Sequence, residues 1–151
     1  MDDPEHRNTI VAIARRWIGT DYYHQASLEG VGADCLGLFR GIWRELFGCE
    51  PAYIPSYSSD WNVSGDGDIL RDAAARIMQP ARSLKPEHGD LILFRMKPRG
   101  SCRHVGIFAS DPNGHDSFIH TYSLHGVVES AFTEAWARRL GGVYKIPARS
   151  S

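Results

Sequence analysis

The chain's widest apolar pattern lies in Asp34-Cys35-Leu36-Gly37-Leu38-Phe39-Arg40-Gly41-Ile42-Trp43-Arg44-Glu45-Leu46-Phe47-Gly48. Leu38, Phe39, Ile42, Trp43, Leu46 and Phe47 recur at helical spacing and make one wide apolar stripe, so the segment is predicted as a helix buried at the centre of the domain. Asp34 can cap its start, and Gly48 supplies the residue just past its end. Cys35 then falls in the first turn, where unpaired backbone N–H groups and the positive end of the helix dipole favour a thiolate. A cysteine in that place is either a nucleophile or a small apolar residue packed at a helix start, and position alone does not choose between them.

Upstream, Asp3 before Pro4 reads as a cap with proline at the first helical position. Ile10, Ala14, Trp17 and Ile18 follow at helical spacing until Gly19 stops the run. Thr20 to Ala33 shows neither apolar period and is predicted as a loop. Downstream, Cys49 to Gly67 reads as a long surface loop bordering a groove, which Tyr57 and Trp61 could wall. Asp68 can cap a shorter helix carrying Ile69, Leu70, Ala73, Ala74 and Ile77, ended by Pro80. The pattern then changes to short β-prone segments at Leu91 to Phe94, Val105 to Phe108, Phe118 to Tyr122, Val127 to Ser130 and Val143 to Ile146, interrupted by a short helix near Thr133 to Leu140. Helices first and strands second is the order of an α+β domain, with an antiparallel sheet packed on the helices. A single domain over residues 1–147 is expected, with 148–151 a loose tail.

Composition bounds the reading. The chain has 151 residues, 42% of them hydrophobic and 23% charged, with 17 Lys plus Arg against 18 Asp plus Glu. That size supports a core without a disulfide framework or a structural metal, and the three cysteines cannot all pair in any case. A net charge of -1 argues against a nucleic-acid binder that works by neutralising phosphates. No apolar run approaches the ~20 residues of a membrane span, and the N-terminus lacks the basic and apolar regions of a signal peptide, so synthesis in the cytoplasm is expected.

A thiol nucleophile needs an imidazole within hydrogen-bond reach, first to accept its proton and then to donate it to a leaving amine. His104, at the start of the strand His104-Val105-Gly106-Ile107-Phe108, is the candidate. A third polar group should orient that ring, and His120 in Phe118-Ile119-His120-Thr121-Tyr122 lies on the next strand. A zinc site is the competing use of seven histidines and three cysteines, Cys102 and His104 being a plausible pair. It lacks a second tight pair of metal-ligand spacing, so no metal and no cofactor are expected. Cys49 and Cys102 are expected to pack or to sit at loop edges.

Taken in order, Gly19-Thr20-Asp21-Tyr22, Asp34-Cys35-Leu36-Gly37, Gly89-Asp90-Leu91, His104-Val105-Gly106-Ile107 and His120 resemble the signature of the NlpC family of papain-like cell-wall peptidases. The resemblance spans nearly the whole chain. Tyr22-Tyr23-His24-Gln25-Ala26-Ser27 and Asp34-Cys35-Leu36-Gly37-Leu38 look most like the subgroup encoded with tail genes of phages and gene-transfer agents. Two positions depart from the family pattern: Leu36 replaces a serine that lines the substrate groove, and Asp21 replaces a proline before the tyrosine.

The resemblance implies a papain-like fold and hydrolysis of a peptide bond in the peptidoglycan stem, typically between D-glutamate and meso-diaminopimelate. Cys35 would attack, His104 would shuttle the proton and His120 would orient His104. The oxyanion would be held by the Cys35 backbone N–H and the Tyr22 hydroxyl. Asp34 would bind a substrate amine or simply cap the helix. An amidase or acyltransferase on the same scaffold, or a non-catalytic peptidoglycan-binding tail component, are the alternatives. Partners would be the stem peptide and other tail-tip proteins, with no nucleic acid and no membrane. The enzyme would be carried on a phage-like particle to the recipient's wall. Arg95, Lys97, Arg99 and Arg103 are read as a solvated loop between two strands or as a cationic rim, with Trp61, facing an anionic substrate.

Overall fold

A computed structural model describes residues 3–54, 68–97, 100–122 and 124–148. Helix α1 (Pro4–Arg16) comes first, started by Asp3, whose side chain accepts from the Glu5 N–H at 3.0 Å. A small hairpin of β1 (Ser27–Leu28) and β2 (Gly32–Ala33) leads into α2 (Cys35–Phe47). Then come α3 (Ile69–Ile77), β3 (Gln79–Pro80), β4 (Leu91–Arg95), β5 (Cys102–Ser110), β6 (Asp116–Tyr122), β7 (Gly126–Ala131), the single turn α4 (Glu134–Ala137) and β8 (Leu140–Lys145). The six longer-range strands pair antiparallel in the order β3-β8-β4-β5-β6-β7. The α+β order expected from the sequence is the one observed.

Alternation along the strands divides the sheet into two apolar faces. Leu91 and Leu93 of β4, Val105 and Ile107 of β5 and Ile119 of β6 face the helices, where they meet Ile10, Val11, Ala14 and Trp17 of the first helical segment and Leu38, Phe39 and Ile42 of α2. Ile92, Phe94, Phe108, Phe118, Leu140 and Val143 build a second core on the opposite face, covered by Phe132 and Trp136. A large apolar side chain contributes about 1.5–3 kcal/mol when fully buried, so the aromatic second core is a substantial part of what holds the segment carrying Phe132 and Trp136 against the sheet. Trp17 and Trp43 are core residues, as their positions on apolar helix stripes suggest.

Three expectations change. The segment Thr20 to Ala33 is not plain loop, because its backbone pairs locally into β1 and β2 and Tyr22 adds a parallel bridge to Ala33. These pairings are too short to leave a periodic pattern. β5 starts at Cys102 rather than at His104, because a register shift between Phe94 and Arg95 lets the ladder with β4 continue. The cationic rim is altered with it: Arg103 lies inside β5 and is only 7% exposed, and Arg95 ends β4 with its guanidinium reaching the Leu140 carbonyl at 3.5 Å. Lys97 is exposed. Arg99, Tyr57 and Trp61 lie outside the described residues.

Candidate active site

Cys35 opens α2 and is half-buried. Asp34 caps the helix through one carboxylate oxygen and holds the preceding segment through the other. Oδ1 accepts from the Gly37 N–H at 2.7 Å, and Oδ2 accepts from the Gln25 N–H at 2.7 Å. The second bond draws residues 23–26 against the helix start, with Gln25 in the left-handed region at φ 64°. His24 Nδ1 stands 3.8 Å from Asp34 Oδ2. Asp34 is 4% exposed, so its carboxylate is built into the fold as a cap and a loop tether.

Two ties bring the sheet to this helix start. The Thr121 hydroxyl, beside His120 in β6, donates to the Asp34 carbonyl at 3.3 Å. The Val105 backbone amide, beside His104 in β5, lies within hydrogen-bond reach of the Cys35 sulfur. The residues flanking both histidines are thereby fixed to the residues around the thiol. Tyr22, carried by its bridge to Ala33, completes the cluster; burial and the nearby Asp34 and Cys35 raise its pKa, so the phenol keeps its proton and stays a donor.

The two imidazoles meet directly. His104 Nε2 and His120 Nδ1 are 2.8 Å apart, with the rings edge to face at 81°. His104 is 9% exposed and His120 fully buried. Phe94, Tyr122 and Trp136 surround His104 at ring-centroid distances of 5.9, 6.2 and 6.0 Å, and Phe118 lies 4.1 Å from His120. Burial lowers the basicity of both rings, and His104 lowers that of His120 further, so both are neutral at rest. With Nε2 engaged, Nδ1 is the atom of His104 left to exchange a proton with a thiol.

The expectation of a thiolate favoured by the helix dipole is corrected. Burial first, and the Asp34 charge second, push the Cys35 thiol up to about 12, although the amides of Val105, Leu36 and Cys35 itself pull it down. A dipole of partial charges at one helix turn is outweighed by desolvation and a full carboxylate charge. The resting site is therefore a neutral thiol with a neutral imidazole.

Cys102 faces the helix side of the sheet with the first core, and its neighbours include Asp68, Arg71 and Arg95. The histidine pair packs instead with the aromatic residues of the second core. Among the described residues no group of three His, Cys, Asp or Glu side chains is arranged to hold a metal.

Sequence reasoning missed Ser130 and Trp136. Ser130 Oγ lies 2.8 Å from His120 Nε2, and Trp136 covers both imidazoles, its ring centroid 5.7 Å from that of His120. A signal for Ser130 existed. It stands across from Phe118 in β7, two residues along from Val128, which pairs with His120, so period two puts a hydroxyl on the histidine face.

No curated protein matches the chain in sequence at a significant level. Solved structures do resemble it in fold. An NlpC/P60 family protein from Bacillus cereus shares 19% identity with a TM-score of 0.61, covering 93% of this chain and 40% of that one. The NlpC/P60 domain of the peptidoglycan hydrolase SagA shares 19% identity with a TM-score of 0.59, covering 92% and 97%. NlpC1 from Trichomonas vaginalis shares 16% identity with a TM-score of 0.62, covering 97% and 46%. The chain thus spans less than half of the Bacillus and Trichomonas proteins and nearly all of the SagA domain. These likenesses show the papain-like fold. The profile of the NlpC/P60 family matches residues 19–145, from the glycine that ends the first helical segment to the last residue of β8. A match over that length, on a helix-borne cysteine tied to a sheet-borne histidine pair, means that the chain belongs to the NlpC/P60 family.

Proposed function

We propose that this chain is a cysteine peptidase that cuts a peptide bond in the peptidoglycan stem. The observation that carries the reading is the buried 2.8 Å contact between His104 and His120, tied through Val105 to the Cys35 sulfur. Because thiol and imidazole are both neutral at rest, proton transfer accompanies attack. His104 Nδ1 takes the proton as Cys35 Sγ adds to the carbonyl carbon, and the Cys35 N–H with the Tyr22 hydroxyl donates to the developing oxyanion. His104 then gives the proton to the leaving amine, leaving a thioester on Cys35. Water, deprotonated by His104, hydrolyses the thioester and restores the thiol.

The bond is the one between D-glutamate and meso-diaminopimelate, a reading that rests on family resemblance. Leu36 is 4% exposed in the apolar core, so it offers no polar contact where relatives of the motif carry serine. Substrate choice then falls to Tyr22 and the 23–26 segment. The motif around Tyr22 and Asp34 supports a place on a phage-like particle, docked to other tail-tip proteins and carried to the recipient's wall.

Digestion of purified peptidoglycan, with the fragments weighed by mass spectrometry, tests this reading. Fragments ending at D-glutamate are expected, at a rate that EDTA does not change. Release of whole stem peptides, uncut at D-glutamate, would identify an amidase. No release would leave a peptidoglycan-binding protein, and loss of activity in EDTA restored by zinc would replace the thiol mechanism.

A further inference from the structure

The hydrogen-bond chain does not stop at His120. Its Nε2 meets Ser130 Oγ of the edge strand β7 at 2.8 Å, on the far side of the ring from His104. We propose that Ser130 is a positioning residue: by accepting from His120 Nε2–H it sets the tautomer of both histidines and leaves His104 Nδ1 bare to take the thiol proton. This rests on the peptidase reading above.

The pair allows two arrangements of its protons. Each neutral imidazole carries one N–H, and the His104 to His120 contact needs one donor and one acceptor. If His104 donates from Nε2, its Nδ1 is an acceptor, His120 Nδ1 accepts, and the His120 proton must sit on Nε2 facing Ser130. If the chain runs the other way, Ser130 donates to His120 Nε2, His120 donates from Nδ1, and the His104 proton is forced onto Nδ1. That second arrangement presents an N–H to the thiol and has no base. Ser130 is half-exposed, so its own hydrogen can go to solvent while its oxygen accepts. The first arrangement also serves the later steps, since His104 can become an imidazolium while still donating from Nε2 to an unprotonated His120 Nδ1. His120 itself is buried under Phe118 and Trp136, which leaves Ser130 as the hydroxyl that sets its Nε2 end.

The test uses the Cys49→Ala chain, in which the exposed thiol is removed, compared with the same chain carrying Ser130→Ala or Ser130→Thr. Nitrogen-15 imidazole spectra should show His120 protonated at Nε2 in the parent and in Ser130→Thr, and a tautomer mixture in Ser130→Ala. The rate of Cys35 alkylation by iodoacetamide against pH should fall roughly tenfold across the neutral plateau in Ser130→Ala, because an orienting bond is lost while the base remains, and return in Ser130→Thr. On peptidoglycan, kcat should fall by a similar factor with KM unchanged. Unchanged tautomer and unchanged alkylation profile in Ser130→Ala would overturn the proposal. If both shift as expected but the parent releases nothing from peptidoglycan, the relay stands and the substrate reading fails. Should Ser130→Ala not fold, a Ser130→Thr chain lacking the Nε2 tautomer would equally overturn it.

Discussion

Burial and the Asp34 charge keep the proton on Cys35, and burial keeps His104 and His120 neutral, so the site stores no ion pair before substrate arrives. The same burial links the histidines to acid stability. Their folded pKa values lie below the ordinary 6.5, so the unfolded chain binds protons that the native chain refuses as pH falls. Stability is fully present above pH 6.5 and declines from there toward the folded values, by up to about 1.4 kcal/mol per pH unit for each ring. His120→Gln removes one titrating ring while an amide still fills the place. Urea unfolding from pH 7 to 4.5 should therefore show a shallower loss of stability in His120→Gln than in the parent; equal slopes would mean that the buried rings are not what titrates. At this scale the sequence pointed to Cys35, His104 and His120 through local pattern and to Tyr22 through the family resemblance, and the structure sets His104 against His120 and Tyr22 near Cys35. The protonation state of Cys35 was not legible in the sequence, since it depends on how deeply other elements bury the helix start.

Helix α2 can start where it does only because residue 37 lacks a side chain. A Cβ there would overlap the Ala26 carbonyl oxygen, and the segment that Ala26 belongs to is held by Gln25 N–H to Asp34. Gly41 has the same reason to be glycine, facing the Trp17 ring of the neighbouring helical segment. Gly37→Ala should force residues 23–26 away from α2, at a cost of about 1–3 kcal/mol typical of overpacking, and displace Tyr22 with them. A urea midpoint and a hydrolysis rate both equal to the parent's would contradict that close packing. Helices α1, α2 and α3 were legible from apolar spacing and caps, and five main strands from β-prone runs. The β1–β2 hairpin and the early start of β5 were not, because two-residue pairings and a bulge are settled by tertiary neighbours rather than by local pattern. The misplacement of Arg95 and Arg103 follows from that bulge.

Across the whole molecule, the sheet presents one face to the helices and the other to an aromatic core, and the histidine pair stands with the aromatic side while the thiol arrives from the helix side. The order of helices and strands told the fold class. Sequence could not tell that both faces of the sheet are covered, since Phe132 and Trp136 come from a short connecting segment without a periodic pattern. Arg7 and Asp90 pin the N-terminal helix to the turn before β4, with Nη1 and Oδ1 2.8 Å apart and both side chains largely buried. That pin explains the Gly89-Asp90-Leu91 motif as architecture: it fixes α1 to the sheet whose next strand carries His104. On the peptidase reading proposed above, this architecture serves one sulfur atom. The direct test is release of stem-peptide fragments, with D-glutamate left as the new stem end on the glycan, from purified peptidoglycan by Cys35→Ala, set beside the double variant Cys49→Ala, Cys102→Ala and a thermal melt of each. No release is expected from Cys35→Ala, with its melt preserved, and release near the parent rate from the double variant; release at the parent rate by folded Cys35→Ala would mean that another group attacks the bond.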